Sequence, residues 1–496
     1  MNSKHSKRHV KPSICALVFV LMAVLAPLSW AEDVAPGRHL NVLFISIDDL
    51  NDWTGFLGGY PGAKPKTPHL DKLAGMSTTF TNALSPSAVC NPARTAVMTG
   101  LHPTTSGVYN NTAWFRDFER TAEAVTLAEY FREHGYLTVH AGKIFHGWRR
   151  AMTDHERSWD VMSPHGIGTR GPADPNPLGI EFGHPYFDEH FRFGVAPEPA
   201  EATEDFKNAE FIADYLRKRH DKPFFLACGI FRPHAPFYAP RRFFDLYPLE
   251  DIVLPEVPED VLADVPPRGR DASDIKTHKT ILETPGAWKR YVQAYLASVS
   301  FADHCVGHLL EALEEGPNRD NTIVVLWSDH GFHFGEKKHW RKFTLWQEAL
   351  RCVLLVRPSG ETPPARQTGE AVGLIDLYPT LVDFAGLPPK TGLDGHSLVP
   401  GLRGETDFRP PVVSTWLPGN HAVTGDRYRL KRYDDGAIEL YDLVSDPEER
   451  SNLATTDREA YAPVIERLSG HLPANAASPI QNSPPTDAAK SRRAWH

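Results

Sequence analysis

Two apolar runs, far apart in the chain, end in the same way: in side chains able to hold a metal ion. Val42-Leu43-Phe44-Ile45-Ser46-Ile47 runs into Asp48-Asp49, and Thr322-Ile323-Val324-Val325-Leu326-Trp327-Ser328 runs into Asp329-His330. A short run that is apolar almost throughout, with no alternation, suits a strand covered on both faces, so a largely parallel α/β sheet is predicted. In open sheets of that kind ligands bind beyond the carboxyl ends of the strands. Two more runs end in reactive side chains. Phe224 to Ile230 leads into Arg232-Pro233-His234, and Leu137-Thr138-Val139-His140 leads into Gly142-Lys143-Ile144-Phe145-His146. Four such strand ends point to one shared site.

Apolar residues at helical spacing predict helices over Thr126–Glu133, Trp288–Glu315 and Leu377–Ala385. Residues 163–199 and 255–287 combine Pro and Gly with little periodicity and are expected to be loops, the first near the active face. After Gly395 the pattern changes. Residues 411–443 read as short strands with a hairpin turn at Asp434-Asp435-Gly436, and Ala462–Ser469 as one short helix. The expected organisation is a catalytic domain over 39–395, a C-terminal subdomain over 396–473 and a frayed, disordered tail over 474–496. A length of 496 residues suits one large domain with a smaller one beside it.

Lys4, Lys7, Arg8 and Lys11 precede an apolar stretch from Ile14 to Ala26, and Ser29-Trp30-Ala31 offers a cleavage site. Residues 1–31 therefore read as a signal peptide, with the mature protein periplasmic or secreted; an uncleaved anchor is the alternative. No later segment is apolar enough for long enough to span a bilayer. Of the 5 cysteines, Cys15 falls in that signal. Cys228 and Cys352 lie in strand-like apolar runs and read as buried small hydrophobes. The net charge of −9 lacks the basic footprint of a nucleic-acid binder.

Cys90 differs, because its neighbours are polar and turn-forming. Cys90-Asn91-Pro92-Ala93-Arg94 fits C-x-P-x-R and continues through Thr95-Ala96-Val97-Met98-Thr99-Gly100. This segment resembles the recognition motif of type I sulfatases, in which the Cys is oxidised to formylglycine by a maturation enzyme. Glu439-Leu440-Tyr441-Asp442-Leu443, Asp446-Pro447-Glu448-Glu449 and Asn452-Leu453-Ala454 resemble the closing segment of the same family, so the resemblance spans about residues 39–455. It implies the alkaline-phosphatase-like fold: a large α/β domain with a mixed central sheet flanked by helices, and a small C-terminal α+β subdomain.

The chemistry explains the conversion. A thiol gives a sulfated adduct with no easy exit, whereas a hydrated aldehyde carries one hydroxyl to attack sulfur and a second to expel sulfate. Arg94 is expected to hold that group by charge-assisted hydrogen bonds. The resemblance implies that Asp48, Asp49, Asp329 and His330, with modified Cys90, bind a divalent cation. Mostly oxygen ligation favours Ca²⁺ or Mg²⁺. It also implies that Lys143 and Lys342 bind the sulfate, and that His146 is the base for its release. His234 would contact the bridging ester oxygen as acid for the leaving alcohol. On charge alone Lys337, Lys338, His339 and Arg341 compete with Lys342.

His at position 330 resembles the iduronate-2-sulfatase branch, which implies a sulfated carbohydrate substrate, first a 2-O-sulfated uronic acid. Sulfated algal rhamnose or galactose units would suit the same core. Arg116, His102 and Arg427 are candidates for a substrate carboxylate, and Gly419-Asn420-His421 either reaches the substrate or forms a turn. The competing classes are a phosphatase or phosphonate hydrolase with the same nucleophile geometry, and an inactive sulfated-glycan-binding module.

Overall fold

The computed structural model describes residues 40–147, 153–182, 185–360, 365–405 and 409–480. The expected signal peptide and residues 481–496 of the expected tail lie outside the described residues.

Eight strands build the central sheet: β1 (Asn41–Ile47), β2 (Thr78–Phe80), β3 (Leu137–Gly142), β4 (Val161–Met162), β5 (Phe224–Ile230), β6 (Thr322–Ser328), β7 (Leu354–Arg357) and β8 (Arg366–Thr368). Their order is β8-β2-β7-β6-β1-β5-β3-β4. The five strands from β6 to β4 run parallel, and β7 is antiparallel to both β6 and β2. The sheet is mixed, as the family resemblance implies, and the four strands expected to carry the site are neighbours in it.

The unbroken apolar runs have a simple cause. Alternate residues of a strand face opposite sides. Leu43, Ile45 and Ile47 of β1 join a core completed by α2 (Glu204–Leu216) and α3 (Ala287–Glu315). Val42 and Phe44 join another, completed by Val97 and Met98 of α1 (Cys90–Thr99) and by Leu127 and Leu381. Both faces are buried, so no polar alternation survives in the sequence.

The expected loops are only partly loops. Residues 163–199 include a helix, Pro185–His190, and a strand, Phe193–Ala196, which pairs in parallel with Phe237–Pro240. Residues 255–287 include a helix over Ile275–Glu283 whose N-cap, Asp274, accepts the Thr277 amide at 3.3 Å. Its buried face is Thr277, His278 and Ile281, too polar to register as an apolar stripe.

The C-terminal part forms a four-stranded antiparallel sheet of β9 (Val412–Thr415), β10 (His421–Thr424), β11 (Tyr428–Arg432) and β12 (Ile438–Asp442), with the expected turn between the last two. Ala462–Ser469 is helical and adds Leu468 to the small core of Val423, Leu430 and Leu440. The chain stays anchored through residue 480. Ala477 and Ile480 donate their amides to the Thr104 and Gly107 carbonyls, and Ile480 packs against the main core. Cys90, Cys228, Cys305 and Cys352 are all buried and free. Among the described residues, no helix is long and apolar enough to cross a membrane.

Candidate active site

The ends of β1, β3, β5 and β6 converge. At the end of β1 the Asp48 amide bonds to the Ile230 carbonyl at 3.0 Å, and Asp49 takes a left-handed φ of 58°. The Asp49 amide donates to Asp329 Oδ1 at 3.1 Å, and the Tyr295 hydroxyl donates to the Asp49 carbonyl at 2.9 Å. At the end of β6, Ser85 Oγ donates to the Asp329 carbonyl at 2.6 Å. Sequence reasoning missed Tyr295 and Ser85, because each acts on backbone belonging to a distant segment.

The Lys143 loop lies against β5 because two glycines meet there. A Cβ on Gly142 would sit 1.9 Å from the Gly229 carbonyl oxygen, and one on Gly229 would sit 2.0 Å from that of Lys143. Lys143 Nζ then reaches Asp48 Oδ2.

Cys90 opens α1, after Val89 in extended conformation. Its Sγ lies 2.9 Å from Lys342 Nζ, 3.3 Å from His330 Nε2 and 3.9 Å from Asp49 Oδ1. Burial pushes the thiol up, but Lys143 and Lys342 outweigh it and bring it down to about 7. Cys228 shows the contrast: burial pushes its thiol up with no cation to oppose it.

Arg94 does not grip position 90 as expected. Its Nε donates to Asp329 Oδ2 at 2.9 Å and its Nη2 to Asp48 Oδ1 at 3.0 Å. Its Nη1 donates to the Lys143 and Ile144 carbonyls at 2.7 and 3.0 Å and lies 3.4 Å from Ser46 Oγ. Buried carboxylates and carbonyls are stronger acceptors for a buried guanidinium than a thiol is, so they take its donors. Arg94 ties two strand ends to the Lys143 loop.

Three of the four competitors for the Lys342 role point elsewhere. Lys337 donates to the Glu449 carbonyl, Lys338 to the Glu259 carbonyl at 2.7 Å, and His339 pairs with the Lys342 carbonyl at 2.7 Å. The fourth, Arg341, reaches toward Asp274 at 3.9 Å. Lys342 itself donates to Asp49 Oδ1 at 2.6 Å as well as to Cys90.

The acids split in character. Burial raises Asp48, but Lys143 and Arg94 hold it well below the usual carboxylate range. Burial lifts Asp49 to about 7 against the pull of Lys342. Asp49 Oδ2 is buried without a hydrogen-bond partner. Asp49, Cys90, Asp329 and His330 bring one ligand atom each to within 4.8 Å of one another, and Asp48, Asp49 and His234 do the same. An unsatisfied buried carboxylate oxygen amid carboxylates and an imidazole is a donor set that fits a hard divalent cation. Burial opposes charge on His330, yet Asp329 lifts it to about 9, the same demand for positive charge met by a proton.

Two imidazoles flank this cluster. Burial, reinforced by Lys143, pushes both His146 and His234 well below the usual histidine range, so each is neutral. His234 Nδ1 pairs with the Ala235 carbonyl at 2.5 Å, which leaves Nε2, 3.8 Å from Asp49 Oδ2, as the acceptor of the neutral ring. Asp205, at the start of α2, fixes this loop by accepting the Phe231 and Arg232 amides at 2.7 and 3.3 Å. Arg232 donates in turn to the His234 carbonyl at 2.7 Å.

The candidate substrate residues have other employment. Arg116 is held by Asp154 and Glu129, and Arg427 by Asp442. His102 caps a short helix and meets the Val413 carbonyl at 3.1 Å. Asn420 closes the turn before β10, accepting the Asp434 amide at 3.2 Å, and His421 pairs with Thr415 at 2.9 Å. Of the two readings of 419–421, the geometry is that of a turn.

Comparison with known proteins places the chain in a family. The family model described as Sulfatase matches residues 40–387, and one described as N-sulphoglucosamine sulphohydrolase, C-terminal, matches residues 335–477. A Formosa agariphila protein named Sulfatase is 35% identical over 457 residues, covering 88% of this chain and 87% of its own. Iduronate 2-sulfatase of Mus musculus is 32% identical over 403 residues, covering 72% and 71%. A solved 2-O GAG sulfatase superposes with a TM-score of 0.67 at 24% identity, over 88% of this chain and 91% of that one. That last likeness speaks for the fold alone.

Proposed function

The chain belongs to the sulfatase family, hydrolases of sulfate esters, and from that premise we propose that it desulfates a sulfated carbohydrate using formylglycine formed from Cys90. The observation that carries this is the side chain of Cys90, which opens a helix and faces Lys342, His330 and Asp49 where four parallel strands end. In this reading a hydrated aldehyde at position 90 supplies the oxygen nucleophile and the means of releasing sulfate.

Asp48, Asp49, Asp329 and His330 would hold Ca²⁺ or Mg²⁺. Such an ion, when bound, makes a hydroxyl more acidic and offsets negative charge on sulfate oxygens. Lys143 and Lys342 receive the sulfate, and Arg94 keeps Asp48 and Asp329 apart and oriented. Neutral His146 takes the proton that frees sulfate. His234 donates to the departing alcohol oxygen, for which Nε2 must first gain a proton. An arriving sulfate favours that step by offsetting Lys143 and Lys342.

The substrate proposed first is a 2-O-sulfated uronic acid, in line with the iduronate 2-sulfatase relative, and the enzyme is exported, with residues 1–31 removed as it crosses the membrane. A desulfation screen over defined sulfated oligosaccharides tests the sugar, with algal rhamnose and galactose sulfates as the competing outcome. Paired kinetics on an aryl sulfate and the matching aryl phosphate test the reaction. A strong preference for the phosphate would sink it.

A further inference from the structure

Glu449 belongs to the closing segment, far in sequence from the strand ends, and is fully buried with a φ of 54°. Its carboxylate accepts Arg429 Nη1 at 3.1 Å and Lys431 Nζ at 2.8 Å, both from β11 and both buried. The same carboxylate accepts the backbone amide of Gln347 at 3.0 Å, and the Glu449 carbonyl accepts Lys337 Nζ. Lys337 and Gln347 bracket Lys342, five residues away on either side. Between those ties Lys337, Lys338, Arg341 and Phe343 all have left-handed φ values, of 56°, 52°, 73° and 80°. Non-glycine residues hold that conformation only where their surroundings impose it. The segment's own pairing of His333 and Phe334 with Arg341 and Trp340 braces its middle, the Glu449 ties lie to either side of Lys342, and Lys342 Nζ rests on Cys90 and Asp49.

We propose that Glu449 is a positioning residue for Lys342: the C-terminal sheet, through one carboxylate and one carbonyl, fixes both ends of the loop that presents this ammonium to the sulfate. The proposal rests on the reading of Lys342 as a sulfate ligand. It gives the Asp446-Pro447-Glu448-Glu449 segment a task in the reaction although it touches no substrate.

The test compares the mature holoenzyme with Lys342→Met, Glu449→Gln and the double variant. The readouts are calorimetric affinity for inorganic sulfate, kcat/KM on 4-nitrophenyl sulfate, and melting temperature. Each single variant is expected to weaken sulfate binding and lower kcat/KM by about tenfold or more. The double variant should lie within about twofold of Lys342→Met, because Glu449 acts through Lys342. Losses that multiply, or native behaviour of Glu449→Gln beside a crippled Lys342→Met, would overturn the positioning role alone. Native sulfate affinity in Lys342→Met would overturn the sulfate reading and this proposal with it.

Gln347→Pro covers the case in which Glu449→Gln does not fold. Gln347 is the first residue of α4 (Gln347–Leu350) and follows an extended Trp346, where proline is tolerated, so the amide donor to Glu449 is lost together with a side chain whose Oε1 makes no hydrogen bond. Weaker sulfate binding at a native melting temperature is expected, and native affinity overturns the proposal.

Discussion

Lys342 Nζ stands 2.9 Å from Cys90 Sγ although 252 positions separate the two residues in the chain. The contact exists because β6 ends and α1 begins at the same edge of the sheet, and the loop after β6 folds back across it. It joins the proposed nucleophile to the proposed sulfate-binding cation, and the first prediction concerns that nucleophile.

Cys90 in protein from its native host should be formylglycine. Mass spectrometry of the peptide spanning residue 90 reads this directly, and unmodified Cys throughout a fully active preparation would contradict the mechanism. Cys90→Ala should lower turnover by at least about three orders of magnitude while leaving glycan binding in place. Equal behaviour of variant and native protein would instead fit the binding-module reading.

Asp329→Ala should lose bound metal, activity and stability together. The change removes a proposed cation ligand and leaves Arg94 Nε without its partner at a site with no solvent exposure. Breaking a buried pair in this way costs about 3–5 kcal/mol. Elemental analysis for Ca²⁺ and Mg²⁺, with a melting curve, reads both effects; retained metal or retained activity would contradict the site. Chelation of the native protein should abolish turnover reversibly.

His234→Ala should hurt poor leaving groups most. An alkyl sulfate needs a proton on the departing oxygen, whereas an activated aryl sulfate does not. A fall in kcat on the sugar sulfate about tenfold larger than on an activated aryl sulfate is expected. Equal losses on both would remove the acid role.

His140 should make the protein acid-sensitive. This residue of β3 packs its ring on Trp159, 5.2 Å between centroids, and burial lowers it to about 4. Above about pH 6.5 neither the folded nor the unfolded state binds this proton. As pH falls from there toward 4 only the unfolded state takes it up, so stability is present above that window and lost through it. The cost reaches roughly 3 kcal/mol at the bottom of the window. Burial lowers His102 to about 4 in the same way, while burial raises Asp303 to about 7 and works in the opposite sense. His140→Phe should therefore raise the melting temperature by about two degrees more at pH 5 than at pH 8. An identical gain at the two pH values would show that the histidine is not the sensor.

The sequence by itself determined the strands and their polar ends. An apolar run buried on both faces, such as Val42–Ile47, permits little else, and Asp48-Asp49 and Asp329-His330 stand where such a run must stop. Cys90 was legible because C-x-P-x-R is a local pattern. The helix over Ile275–Glu283 was not, since its buried face is mostly polar, and neither was the docking of residues 477–480, whose bonds go to residues 104 and 107.

Tertiary structure alone decided which cations meet which anions. Lys337, Lys338, Arg341 and Lys342 are chemically close and adjacent in sequence, yet only Lys342 among them reaches Cys90. Arg94 belongs to the nucleophile's motif but spends its donors on Asp48, Asp329 and the Lys143 loop. Residue type and spacing fix which charges a segment carries. Their partners depend on distances between segments hundreds of residues apart, and those are set by strand order and by loops anchored from elsewhere, as Glu449 anchors the loop of Lys342.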